Sequence, residues 1–171
     1  RAHLQIEVPI IKHILKQVKC KKYFFDIKNH HIYHVLCGYY FCDFDEAIAL
    51  VSDGGGETEI NLDFKVLQSI FLVNKKEVIN KYKFVTNKFT DYFKNFVPTQ
   101  IETIRDNVDF TLSNQTKAGC KNIILSGGCH LNCSVNFKLV KKYPEYNFFV
   151  DPIPYDAGTA VGGIIYYENY L

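Results

Sequence analysis

The sequence has no methionine and almost no net charge, +2 from 20 basic and 18 acidic residues. It also has no apolar run near the ~20 residues that a membrane-spanning helix needs. Each shortfall excludes something. With no starting methionine, and with Arg1 already inside a helix-like pattern (Ile6, Ile10, Ile11, Ile14, Leu15, Val18), the chain is expected to be a fragment of a longer protein. With no spanning run and no signal peptide at its start, it is expected in the cytoplasm, with no membrane partner. With no net positive field, nucleic acid is not an expected partner, and the knot of Lys19, Lys21 and Lys22 reads as a solvated helix end.

Zinc-finger spacing is missing as well. The six cysteines include Cys129 and Cys133 beside His130, but no second pair accompanies them. The chain is also too rich in apolar residues, at 47%, to be a small secreted scaffold, so reduced and mostly buried thiols are expected.

What is present is a succession of short elements. Residues 4–19 and 30–41 carry helical periodicity, with Asn29 capping the second stretch, and 22–27 is a strand candidate. EAIALVS from 46 onward predicts a buried strand that ends in glycines. Alternation at Ile60, Leu62, Phe64 and again at Val66, Gln68, Ile70, Leu72 predicts two more strands within 58–73, completing an antiparallel meander. Residues 75–96 and the stretch from Pro98 to about Ala118 read as helices, the latter closed by Gly119. Strands are then expected at 122–128 and 147–154, and helices at 131–142 and 156–170. The fold class is α/β, and the order from residue 46 is β-β-β-α-α-β-α-β-α.

Three segments carry chemistry. His30 and His34 are four residues apart, which puts both rings on one helical face within reach of one metal ion. A third ligand must come from elsewhere, and Asp156, at the start of the last helix, can supply it. Ordinary surface or hydrogen-bonded core histidines are the competing reading. Asp53, Gly54, Gly55 and Gly56 follow a buried strand. There small residues let backbone wrap a phosphate and Asp53 can hold a metal or a water, while a plain hairpin turn explains the same letters. Gly127 and Gly128 lead from a strand into a helix and can admit a nucleotide, with Asn132 placed to bond a sugar or base. Gly162 and Gly163 lie inside a helix and point to close helix packing. Tyr166, Tyr167 and Tyr170 form an aromatic packing face.

Together these segments resemble the O-carbamoyltransferases that modify nodulation factors and antibiotics. NHHIYH at 29–34 and DEAIALVSDGGGE at 45–57 look like that family's HHxxH helix and DGxGE loop. SGGCHLNC at 126–133 is similar to its SGGVALNC, and DPIPYDAGTAVGG at 151–163 to its PxxxDxGxAxGA. The resemblance implies an actin-like ATPase (ribonuclease H-like) fold. Residues 1–45 would end the first half, and 46–171 would form the second. It implies ATP or carbamoyl adenylate as cofactor, and a divalent metal of iron type on His30, His34 and Asp156. His31 and Asp156 would be catalytic residues, and Asp53, Gly54, Gly55, Gly56, Gly127, Gly128 and Asn132 would bind the nucleotide. Carbamoyl phosphate and a small-molecule acceptor would be the substrates. The family's N-terminal phosphate loop and its C-terminal domain that makes carbamoyl adenylate have no counterpart in this sequence, so the chain is expected to be incomplete alone. Two other readings stand beside this one: a relative of the enzyme that transfers threonylcarbamoyl to tRNA, and a degenerate, non-catalytic nucleotide-binding or interaction module.

Overall fold

The computed structural model describes residue 17 and residues 29–53, 65–86 and 119–170. Its centre is one five-stranded sheet: β1 (Glu46–Ser52), β2 (Lys65–Asn74), β3 (Val78–Thr86), β4 (Asn122–Ser126) and β5 (Asn147–Val150). The spatial order is β3-β2-β1-β4-β5. β1, β2 and β3 pair antiparallel, whereas β4 and β5 run parallel to β1. Helix α1 (His30–Phe41) precedes the sheet, α2 (Cys133–Lys142) joins β4 to β5, and α3 (Ala157–Tyr170) ends it. Among the described residues no helix is long and apolar enough to cross a membrane.

The two faces of the sheet bury different rows. Along β1, Ile48 and Leu50 join Ile70, Ile123, Leu125, Val135 and Leu139 in the core under α2. Ala47, Ala49 and Val51 join Phe71, Val73, Ile124 and Val35 in the core under α1. Successive strand side chains point to opposite faces, so a central strand covered on both sides reads as one continuous apolar run. The row of small residues on the α1 side lets that helix approach the sheet closely. Gly38 marks the contact, since a Cβ there would stand 2.7 Å from Ile124 Cγ2.

α1 lies between the sheet and α3 and is buried from His31 to Gly38 apart from the half-buried Ile32. The seat for α3 is built from glycine. A Cβ on Gly162 would overlap the Tyr33 carbonyl, and one on Gly158 would overlap the Ile153 carbonyl and meet Cys37 Sγ. Gly163, by contrast, faces open space, so the packing expected of the glycine pair belongs to Gly162 alone. Tyr166 stands edge-on to Tyr33, with centroids 5.6 Å apart, and stacks on Tyr170.

Three expectations are corrected. Residues 78–86, read as part of a helix over 75–96, form β3. The cause is local: the Asn74 side chain accepts from Lys76 N at 2.8 Å and Glu77 N at 3.1 Å, closing a turn that sends the chain back along β2. Among the described residues the antiparallel meander is β1, β2 and β3; of the two strands expected within 58–73, the second is β2. The strand expected to run to 154 ends at Val150, ahead of Pro152 and Pro154. The helix expected from 131 is a short 3-10 turn (Gly128–Leu131) followed by α2. Apart from Gln17, which is helical, the expected elements at 4–19, 22–27, 58–64 and 98–118, and the expected helix beyond 86, lie outside the described residues.

Gly162→Ala is expected to cost about 1–3 kcal/mol by forcing α3 off the Tyr33 backbone. Gly163→Ala should be neutral or stabilising by up to ~1 kcal/mol, because a helix gains from losing glycine. Paired chemical denaturation of the two variants measures the contrast, and equal effects would remove the glycine seat from the account.

Candidate functional site

Strand parity decides what lies beneath the N-terminal turns of α1. Continuing the row Ala47, Ala49, Val51 by two residues places Asp53 on the α1 side of the sheet. Ser69 precedes Phe71 and Val73 in the same row of β2, Ser126 follows Ile124 in β4, and Asp151 follows Phe149 at the end of β5. The register aligns them: Val51 pairs with Ser69 on one side and Ser126 on the other, and Asp151 N donates to Leu125 O at 2.9 Å. Apolar residues thus support the C-terminal half of α1, and a polar row supports its start. This row lies at the C-terminal ends of the parallel strands, where open α/β sheets hold their ligands.

His30 and His34 project from α1 into that corner, and Asp156 reaches it from the residue preceding α3. His30 Nε2 lies 3.0 Å from Asp53 Oδ2, 3.2 Å from His34 Nε2 and 3.6 Å from Asp156 Oδ1. His34 Nε2 lies 3.7 Å from Asp156 Oδ1 and 3.9 Å from Asp53 Oδ2. All four ligand atoms fall within 4.8 Å of one another. Neighbouring donors around an ion held at ~2.1 Å stand roughly 3.0–3.4 Å apart in octahedral or tetrahedral arrangements, so small side-chain movements would close these atoms on one cation. Two imidazoles and two carboxylates also match the charge of a divalent ion.

Burial prepares the imidazoles. The pKa of His34, wholly enclosed, is pushed down to about 4 by desolvation and then by His30, against the opposing pull of Asp53, Asp156 and Asp151. It is therefore neutral at physiological pH, the form that coordinates metal. Its Nδ1 is buried without a hydrogen-bond partner. The site is graded in exposure, from enclosed His34 through Asp53 and His30 to Asp156, whose side chain is 77% exposed.

The other residues singled out from sequence divide. His31, fully buried, turns to β2, with Nδ1 2.7 Å from Ser69 Oγ. Gly128 abuts the cluster, since a Cβ there would lie 3.2 Å from Asp53 Oδ1. Gly127 takes φ +92°, and a Cβ would overlap the Ser52 backbone, so β1 packing alone demands glycine at that position. Asn132 caps α2, its Oδ1 accepting from Val135 N at 3.4 Å. Gly54, Gly55 and Gly56 lie outside the described residues. His130 is buried on Asn136 at 3.0 Å, with Cys129 buried and Cys133 exposed. Among the described residues the only cluster of metal-ligating groups is that of His30, His34, Asp53 and Asp156. Sequence reasoning passed over Ser126 and Asp151. Both were detectable as polar residues continuing apolar strand rows.

The family model of the Carbamoyltransferase N-terminus matches residues 79–165, half of the chain, and the chain belongs to that family. The match takes in Gly127, Gly128, Asn132 and Asp156; His30, His34 and Asp53 precede it. Nodulation protein NolNO of Sinorhizobium fredii (strain NBRC 101917 / NGR234) is 31% identical over 84 residues. That stretch is 48% of this chain and 12% of the nodulation protein's own length.

His130 shares the lowered pKa of His34, about 4, again through burial. Both groups have folded values below the unfolded 6.5, so the unfolded chain binds more protons and stability is lost as pH falls from 6.5 towards 4. Each histidine contributes a slope approaching ~1.4 kcal/mol per pH unit. Urea titrations across that window should show the fall, and His130→Asn should remove about half of it. An unchanged slope in that variant would refute the assignment.

Proposed function

We propose that this chain is the metal-bearing part of an O-carbamoyltransferase, which moves a carbamoyl group from carbamoyl adenylate to a hydroxyl of a small-molecule acceptor. The observation that carries this reading is the meeting of His30, His34, Asp53 and Asp156, from positions far apart in sequence, at one polar corner of the sheet. Membership of the carbamoyltransferase family supplies the reaction class. The mixed sheet, with an antiparallel meander joined to two parallel strands and helices on both faces, supports an actin-like, ribonuclease H-like half.

In this reading His30, His34 and Asp156 hold a divalent metal, iron by resemblance, and Asp53 is a fourth donor. When bound, the metal polarises the carbamoyl carbonyl as a Lewis acid. The chain's own residues do the rest. The buried floor formed by His34 and the end of β1 keeps water from one side of the cluster. Gly128, bare of a side chain, leaves an approach to Asp53, and the backbone N–H groups of the 127–128 turn hold the adenylate phosphate, a role that the family resemblance also gives to Gly54, Gly55 and Gly56. Asp156, on the open side, meets the acceptor hydroxyl. His31 holds the start of α1 to Ser69 and so fixes the direction of both ligand rings. Carbamoyl phosphate and ATP are consumed by a further domain that makes the adenylate.

Calorimetric titration of the chain with Fe2+ under anaerobic conditions, or with Mn2+, should give one site. His34→Ala and Asp156→Asn should each weaken it by ~100-fold or more. Equal binding by wild type and His34→Ala would end the metal reading. ATP or AMP should raise the melting temperature of the native chain, since a ligand that binds only the folded state stabilises it. No metal uptake and no shift with ATP, AMP or carbamoyl phosphate would leave a non-catalytic module.

A further inference from the structure

Asp151 is 2% exposed, and its side-chain bonds reach α1, the end of β4 and the connection that leads to Asp156. Its Oδ2 accepts from the Ser126 hydroxyl at 2.6 Å, and that hydroxyl also lies 3.2 Å from the His34 carbonyl. Its Oδ1 accepts from Ile153 N at 2.9 Å, in the short connection that leads to Asp156, and from the Cys37 thiol at 3.6 Å, one turn beyond His34 on α1. The Ile153 carbonyl in turn abuts Gly158 in the first turn of α3. One buried carboxylate therefore ties together α1, the end of β4 and the approach to α3.

We propose that Asp151, acting through Ser126, is a positioning residue for the His30, His34 and Asp156 cluster: it fixes the separation of α1 from the start of α3 and supplies a buried negative charge that a bound cation offsets. The inference rests on the metal reading of that cluster.

Hydroxyl, amide and thiol are neutral donors, and among the described residues no lysine or arginine pairs with this carboxylate. A buried anion without a counter-ion is costly, and a divalent ion held by the neighbouring imidazoles relieves that cost. The field of Asp151 reaches the His34 ring, where it favours positive charge. The same field, after burial, pushes the Cys37 thiol up to about 12, so that side chain serves as a donor and packing group, not a nucleophile.

A structural acid and a positioning acid predict different outcomes when the charge alone is removed. Asp151→Asn keeps the shape and removes the charge, but its single acceptor oxygen can serve either Ser126 or Ile153 N, not both. If the residue only held the fold, the metal-free variant would melt lower and bind metal normally once folded. In the positioning role, the cation affinity of the folded variant drops, whether or not its metal-free melting temperature falls.

The test uses the 171-residue chain with Co2+, whose visible absorption reports ligand geometry. Wild type should bind one Co2+, while Asp151→Asn and Ser126→Ala should each bind 10–100-fold more weakly, with shifted absorption bands. Wild-type affinity and spectrum in folded Asp151→Asn would overturn the proposal and leave the metal reading standing. A wild type that binds no Co2+, Mn2+ or Fe2+ would overturn both. If Asp151→Asn does not fold, Ser126→Ala decides alone, and wild-type binding there overturns the proposal.

Discussion

The alternation of side chains along a strand is the constraint on which the rest of this structure depends. β1, β2, β4 and β5 each present a row to α1, and each row changes from apolar to polar towards the C-terminal ends of the parallel strands, β1 two residues beyond its neighbours because Val51 stands level with Ser69 and Ser126. Val51 gives way to Asp53, Phe71 to Ser69, Ile124 to Ser126 and Phe149 to Asp151. A shift of one residue in any strand would turn its polar member to the α2 side, where Ile48, Leu50, Ile123 and Leu125 form a dry core. Core packing and site geometry are therefore set by one register. The hydrophobic gain on both faces holds that register fixed, and the polar corner follows from it.

Some of this was legible in the sequence because the relevant residues are local. Two histidines four apart announce a shared helical face. Asp53 ends a run whose every other residue is apolar, and Asp156 opens a helix of small and aromatic residues. What sequence periodicity missed was non-local or hidden in a turn. VINKYKFVT has β-branched residues at both ends and lysines two apart, a strand pattern, but it sits in a stretch rich in aromatic residues, and the Asn74 turn that decides in favour of a strand depends on a side chain bonding nearby backbone. Asp151 and Ser126 continue apolar strand rows, but no local spacing marks them as partners of each other or of α1, because these bonds span 25, 92 and 114 residues of chain. Asn132, read from sequence as a ligand contact, caps the start of α2.

Family membership and geometry bear on different parts of the chain. The family match spans 79–165 and so covers the glycine turn and Asp156, while the histidines and Asp53 come before it. The cluster unites the two parts physically: residues inside the matched stretch and residues ahead of it converge within 4.8 Å. The imidazoles are carried on a helix enclosed by the sheet and α3, and Asp156 on an exposed helix start, so the ligand set joins a rigid floor to an open rim.

The seat of α3 on α1 is a contact between backbones, with Gly162 against the Tyr33 carbonyl. Backbone atoms have no alternative rotamers, so this contact cannot adapt as two interlocking side chains would. The reach from Asp156 to the imidazoles is therefore gauged by a residue with no side chain, nearly two helical turns away, and a change there would detune the cluster while leaving each of its ligands chemically intact.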